Sequence, residues 1–261
     1  MSARVYSKCM PHPTLPLSII IPTLNEEAHI ENILTDIIHS NISPVTYEII
    51  VSDSGSNDHT HSNITNIKKQ YPDIQIKFFV ADRKGVSIAR NTGAKHAKGQ
   101  YLVFLDADSR ISKDFLTSNL MEMQKRQLDA GGCYAVPDSA RWLDSALFSI
   151  VNNLCFRGLQ YTSKPMCLGA AIWATSAIHK QIGGFNQKIL FGEDVEYVTA
   201  IQRIATFRML NSTPVTFSMR RGEKEGRFQL VGKAIKGFLY HLFHRSMKNV
   251  DVTYKFGHYD K

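Results

Sequence analysis

GVSIARNTGAKHAKGQYLVFLDAD, residues 85–108, reads as one helix followed by one strand. Val86 to Ala97 carries the helical stretch, and Gly99 follows it as a C-terminal stop signal. Tyr101 to Leu105 is a short apolar run of strand length, which ends on two aspartates, Asp106 and Asp108. Upstream the same alternation repeats. Leu17 to Ile21 is an apolar run closed by Pro22, the pattern of a strand buried on both faces of a parallel sheet. Ile30, Ile33, Leu34, Ile37 and Ile38 then recur at helical spacing. Tyr47 to Ser52 is a second strand, followed by a turn-rich segment and a helix ending near Gln70, and Ile74 to Val80 is a third strand. Strands alternating with helices predict an α/β fold with a central, mainly parallel sheet flanked by helices.

Beyond residue 110 the rhythm loosens. Ser112 to Arg126 and Glu193 to Ala205 read as helices, and Trp142 to Leu159 as one long amphipathic helix. Gly132 to Val136, Cys167 to Thr175 and Pro214 to Met219 read as extended segments. The chain divides into a lead-in (1–16), a ligand-binding half (17–110), a second half of the same domain (111–226) and a basic amphipathic tail (227–261).

The 261 residues suffice for one large domain, and 43% hydrophobic with 10% aromatic residues describes a folded chain. The net charge of +8 attracts phosphates, nucleic acids or anionic membranes without choosing among them. Nucleic acid has no motif to support it. Cys9, Cys133, Cys155 and Cys167 form neither a C-x-x-C pair nor a disulfide framework, which points to reduced thiols in a cytosol. No apolar run reaches the length of a membrane span, and no phosphate-binding G-x-x-x-x-G-K-[ST] loop exists.

In open α/β sheets, ligands sit outside the carboxyl ends of the strands. Here every such exit is polar: Pro22-Thr-Leu-Asn-Glu26, Asp53-Ser-Gly-Ser-Asn-Asp58, Asp82-Arg-Lys-Gly85 and Asp106-Ala-Asp108. Carboxylates at i and i+2 of extended chain project to one side. Mn²⁺ or Mg²⁺ takes such carboxylates together with substrate phosphates. A capping or turn pair is the alternative at Asp106 and Asp108. Asp53 suits contact with a nucleotide, with a plain turn as the alternative, and Asp58 suits a helix cap. Glu193 and Asp194 open a helix, where acids favour the first turn, but a carboxylate there also serves as a general base.

Taken in order, T-L-N-E-E, D-S-G-S-N-D, G-V-S-I-A-R-N-T-G-A, L-D-A-D, G-G-F-N (Gly183 to Asn186) and G-E-D (Gly192 to Asp194) resemble the family 2 glycosyltransferases of Rossmann-like GT-A fold, over roughly residues 17–222. The resemblance implies an inverting enzyme that moves a sugar from a nucleotide diphosphate donor, UDP by default, to an acceptor hydroxyl or lipid phosphate. It implies that Pro22, Thr23, Asn25 and Glu26 line the nucleoside pocket and that Asp53 reads the base. Arg83, Lys84 and Arg90 fall where such enzymes approach the nucleotide or diphosphate. Asp106 would position the donor, Asp108 with Asp106 would hold Mn²⁺ or Mg²⁺, and Asp194 would be the base with Glu193 aiding the acceptor. Arg220 and Arg221 would reach the diphosphate, with a solvated basic turn as the alternative. Ser54 stands where the family carries a second aspartate. The Q-x-x-R-W motif of processive synthases is missing, since Gln202-Arg203 lacks the tryptophan.

In the tail, Val231, Ile235, Phe238, Leu239, Leu242 and Phe243 form a stripe among Lys233, Lys236, His241, His244 and Arg245. Such a helix either lies in a membrane interface or packs on the core. The first outcome suits a glycan or lipid-linked acceptor and places a cytoplasmic chain on the inner face of the plasma membrane. Two other functions compete. A haloacid dehalogenase-type phosphatase also uses D-x-D after a strand, but near its N-terminus. A non-catalytic nucleotide-binding module would keep the fold without needing Asp106, Asp108 and Asp194.

Overall fold

The computed structural model describes residues 16–42, 45–244 and 246–249, apart from the side chains of Arg221, Glu225, Phe228, Leu230 and Asn249. The lead-in and the end of the tail therefore lie almost wholly outside the described residues. The chain runs β1 (Leu17–Thr23), α1 (Ile30–Ile38), β2 (Tyr47–Asp53), α2 (Thr60–Gln70), β3 (Ile76–Val80), α3 (Val86–His96), β4 (Tyr101–Leu105), α4 (Phe115–Lys125) and β5 (Ala130–Asp138). It continues through α5 (Trp142–Ile150), a π-helical stretch (Val151–Phe156), α6 (Arg157–Leu159), β6 (Ala171–Thr175), α7 (Ser176–Gln181), α8 (Glu193–Gln202), β7 (Phe207–Ser218), α9 (Arg220–Glu225) and α10 (Arg227–Phe243).

Seven strands form one sheet in the order β3-β2-β1-β4-β6-β5-β7. All neighbours pair in parallel except β6, which runs against both β4 and β5. The expected mainly parallel sheet is therefore present. The first four strands align their carboxyl ends at one edge, and β6 joins the second half of the chain to β4 in the same sheet. Every residue of β1 is buried, because helices cover both faces. Ile33, Leu34 and Ile37 of α1, Ile64 of α2 and Phe115, Leu116 and Leu120 of α4 fill one side. Ala94 of α3, Ile178 of α7 and Tyr197, Val198 and Ile201 of α8 fill the other.

Two expectations are adjusted. The last strand begins at Phe207 rather than Pro214, because Ala130 to Cys133 of β5 offer it a parallel partner ahead of an irregularity near Ala135. The long helix over 142–159 is one path but not one helix type, since its middle widens to π-helix. Asn152 lies in that widened stretch. Its Nδ2 donates to the Ala135 carbonyl at 2.8 Å, and the Ala135 amide donates back to its Oδ1 at 3.3 Å. An amide side chain thus satisfies the backbone groups where the β5 ladder breaks.

Candidate active site

The first two strand exits are knitted into one wall. Asn25 takes a left-handed backbone conformation (φ 55°), which asparagine tolerates better than most side chains. Its amide donates to Ser56 Oγ at 2.8 Å, and the Asn57 amide donates to its Oδ1 at 3.0 Å. Asp53 reaches the expected edge but turns into the loop. Oδ1 accepts from the Thr23 and Ser56 hydroxyls, and Oδ2 accepts from the Gly55 and Ser56 amides. Four bonds fill the acceptor capacity of a carboxylate. In this conformation its carboxylate shapes the loop. Asp58 lies two residues ahead of α2, whose N-cap position is His59, and its Oδ1 accepts from the Thr60 amide and hydroxyl.

α3 carries Arg90 beneath the β4 exit, where it is 1% exposed. Its Nη2 donates to Asp106 Oδ1 at 2.8 Å and to the Gly169 carbonyl at 3.3 Å, and its Nη1 donates to Glu193 Oε1 at 3.0 Å. The guanidinium also lies over the Phe185 ring, 5.1 Å from its centroid. Burial alone would lower its pKa, but Asp106, Glu193 and Asp194 together raise it well above the ordinary value. Arg90 is therefore the buried cation that gathers the carboxylates of β4 and α8.

Asp194 is one residue beyond Glu193 in the first turn of α8. Burial, then the charge of Glu193, push its carboxyl up to about 7, against the opposing pull of Arg90. Its Oδ1 accepts from the Val195 amide at 2.8 Å. Gly169 makes this packing possible: a Cβ there would stand 2.8 Å from Arg90 Nη2 and 3.3 Å from Asp194 Oδ2. Sequence reasoning placed Gly169 in an extended apolar run and missed this role, because nothing local marks a glycine that faces a distant arginine. Asn91 was also missed as a site residue, although the quoted R-N-T-G segment contains it. Its side chain exchanges two 2.8 Å hydrogen bonds with the backbone of Phe185 and so fixes the G-G-F-N turn.

Across the site, Arg220 opens α9 and lies between two acids. Its Nε donates to Asp108 Oδ2 at 3.0 Å and its Nη2 to Glu26 Oε1 at 2.7 Å. The structure thus brings together Glu26, Asp106, Asp108, Glu193, Asp194, Arg90 and Arg220. Arg83 and Lys84 stand outside this cluster, both exposed, with Arg83 donating to Gln187 at 3.0 Å. The Arg221 side chain lies outside the described residues.

Among the described residues, no three His, Cys, Asp or Glu side chains form a cage that could hold a metal on its own. The donor set nonetheless fits a hard divalent ion. Mg²⁺ and Mn²⁺ are commonly held by one or two carboxylates with substrate phosphates completing the shell. Asp106 and Asp108 are two such oxygen donors at one strand exit, and each now has a guanidinium as its cationic partner.

Comparison with known proteins adds to this geometry. The model of Glycosyl transferase family 2 matches residues 18–181, more than half of the chain. Glu193, Asp194 and Arg220 lie beyond the matched span. The dolichyl N-acetyl-alpha-D-glucosaminyl phosphate 3-beta-D-2,3-diacetamido-2,3-dideoxy-beta-D-glucuronosyltransferase of Methanococcus voltae is 24% identical over 176 residues, covering 67% of this chain and 51% of the relative. This chain spans between 34% and 64% of the length of that relative and two other curated glycosyltransferases. Among solved structures, S. aureus TarS with UDP-GlcNAc superposes with a TM-score of 0.64 at 20% identity, covering 92% of this chain and 68% of TarS. The mannosyltransferase PcManGT of Pyrobaculum calidifontis, in complex with GDP-Man and Mn²⁺, gives 0.63 at 21% identity, covering 87% and 66%. At such identities the two structures establish the fold alone.

Proposed function

The chain belongs to glycosyl transferase family 2, and from that membership we propose that it transfers a sugar from a nucleotide diphosphate donor to an acceptor with inversion. The observation that carries the reading is the gathering of Asp106, Glu193 and Asp194 around the buried Arg90, beside Asp108 at the same strand exit, where burial raises the Asp194 carboxyl. A general base works best with a pKa near the operating pH. For a hydroxyl acceptor, Asp194 takes the acceptor proton as the oxygen bonds to the anomeric carbon. The bond from that carbon to the diphosphate breaks, and its electron pair leaves with the diphosphate. Glu193, held by Arg90, orients the acceptor.

Pro22, Thr23, Asn25 and the loop that Asp53 holds line the nucleoside end. Arg220 exchanges its carboxylate partners for the diphosphate, which leaves Asp108 to a divalent ion with Asp106 beside it. Bound there, Mn²⁺ or Mg²⁺ would neutralise charge on the leaving diphosphate. Arg83 and Lys84, exposed beyond the third strand, and Arg221 are candidates for further phosphate contacts. UDP is the proposed nucleotide, with GDP as the second candidate, since the two similar structures bind UDP-GlcNAc and GDP-Man. A lipid-linked acceptor follows the printed name of the Methanococcus relative, with the tail helix resting on the membrane. A phosphatase is not favoured, because the family match spans the D-x-D strand and three β-α units precede it.

Calorimetry tests the reading directly. UDP- and GDP-sugars titrated with and without Mn²⁺ should show metal-enhanced binding of one nucleotide. Asp108→Ala should weaken that binding about tenfold or more, the scale of one lost charge-assisted contact. Failure of every nucleotide sugar to bind would overturn the assignment.

A further inference from the structure

Two helical segments leave apolar rows uncovered. In the first, α5 and its π-helical continuation turn Phe148, Asn152 and Phe156 inward, with Phe148 against Phe217 of β7. The opposite side carries Leu143, Ile150 and Leu154, exposed by 54%, 58% and 70%, beside Trp142 at 74%. In the second, α10 buries Gly237 and His241 while Ile235, Leu239 and Phe243 stand exposed at every fourth residue. The predicted tail stripe is therefore split. Val231, Phe238 and Leu242 are half-buried, and the apolar arc continues past them into solvent.

Side chains tie the two segments together near their starts and beyond their ends. At their starts Arg227 Nε donates to both Asp144 oxygens, at 3.1 and 3.2 Å. At their ends Lys164 Nζ donates to the His241, Leu242 and His244 carbonyls. Their charge is one-sided. Residues 227–243 contain no Asp or Glu, and residues 142–159 contain only Asp144, which is buried and paired with Arg227. Arg141, Arg157 and Lys236 stand exposed along the same segments. Apolar rows bordered by cations and lacking exposed carboxylates are complementary to an anionic lipid interface.

We propose that α5, its π-helical continuation and α10 form a two-helix platform that lies in the surface of a bilayer containing anionic lipid. β5 ends and α9 begins at the strand edge that carries Asp108, so the platform starts beside the site. It deepens the lipid-linked acceptor reading and rests on that reading for its purpose. Its test needs neither donor nor acceptor, so failure here is distinguishable from failure of the transferase reading.

The full chain is co-sedimented with vesicles of phosphatidylcholine alone and of phosphatidylcholine mixed with phosphatidylglycerol. The wild type should partition to the mixed vesicles and much less to the neutral ones. Leu143→Gln, Ile150→Gln and Leu154→Gln combined leave α10 intact and should reduce partitioning on the order of 100-fold, given the apolar area withdrawn. Arg141→Glu, an exposed charge reversal that leaves the apolar row untouched, should reduce it about tenfold on mixed vesicles only. Wild-type partitioning in both variants overturns the role of α5. Absence of wild-type partitioning overturns the platform. A wild-type dimer that the triple variant converts to monomer also overturns it, by giving the face to a second copy of the chain.

Discussion

At the scale of single residues, the site is a contest between burial and one cation. Arg90 is almost wholly enclosed and pairs with Asp106 and Glu193, which leaves Asp194 beside an already engaged guanidinium. Burial, then the charge of Glu193, holds its carboxyl up to about 7 against an ordinary value of 3.8. A base acts in its deprotonated form, so kcat/KM toward a hydroxyl acceptor should rise with pH up to about 7 and fall roughly tenfold per unit below it. Asp194→Asn should abolish that limb, lower transfer by about 10²–10⁴-fold and preserve donor binding. The stability sign is opposite. A raised carboxyl pKa stabilises the fold below the unfolded value and loses that contribution as pH rises through about 7. The asparagine variant should therefore melt higher than wild type above neutrality. A wild-type rate that is flat from pH 5 to 8 would remove Asp194 from the role of base. The residue types of this site were legible in the sequence because strand exits in an α/β sheet collect ligand-binding groups. The directions of Arg90 and Asp53 were not, since a charge in a sequence does not say which neighbours it faces.

At the scale of elements, the β-α alternation over residues 17–105 was legible because each buried strand is an unbroken apolar run and each helix keeps its own spacing. The π-helical widening of residues 151–156 was not, because its partner is the irregular point of β5, distant in sequence. Asn152 links the two. Asn152→Ala would remove both of its bonds to Ala135 and leave a buried amide and carbonyl unmatched, at a cost of about 1–3 kcal/mol. For a chain of this size each kcal/mol lowers the midpoint by roughly 2–4 °C. A calorimetric melt within one degree of wild type would show that the widened helix needs no such anchor. α7 and α9 also escaped the sequence reading, since six residues present too few turns for a period to show.

At the scale of the molecule, the tail is both a surface and a wall. The sequence left interface and core as competing fates for it, and the fold gives its two sides different ones. Ile235, Leu239 and Phe243 face outward, whereas the turn after α10 returns to the site from behind. Met247 is buried there, its amide donating to Glu196 Oε2 at 3.0 Å. Gly192, in a left-handed conformation with φ 76°, lies so close that a Cβ would stand 2.6 Å from the Met247 methyl. Gly192 immediately precedes Glu193 and Asp194, so the tail braces the turn that presents the base. Deleting residues 227–261 should consequently impair more than lipid contact. With a water-soluble acceptor and no vesicles present, the truncated chain should still bind donor, because Asp108, Glu26 and Arg220 remain. Its kcat should nonetheless fall by about tenfold or more, the scale expected when a catalytic group loses its support and shifts by a fraction of an ångström. Full kcat in the truncated chain would separate the two sides of the tail and leave α10 with the membrane alone.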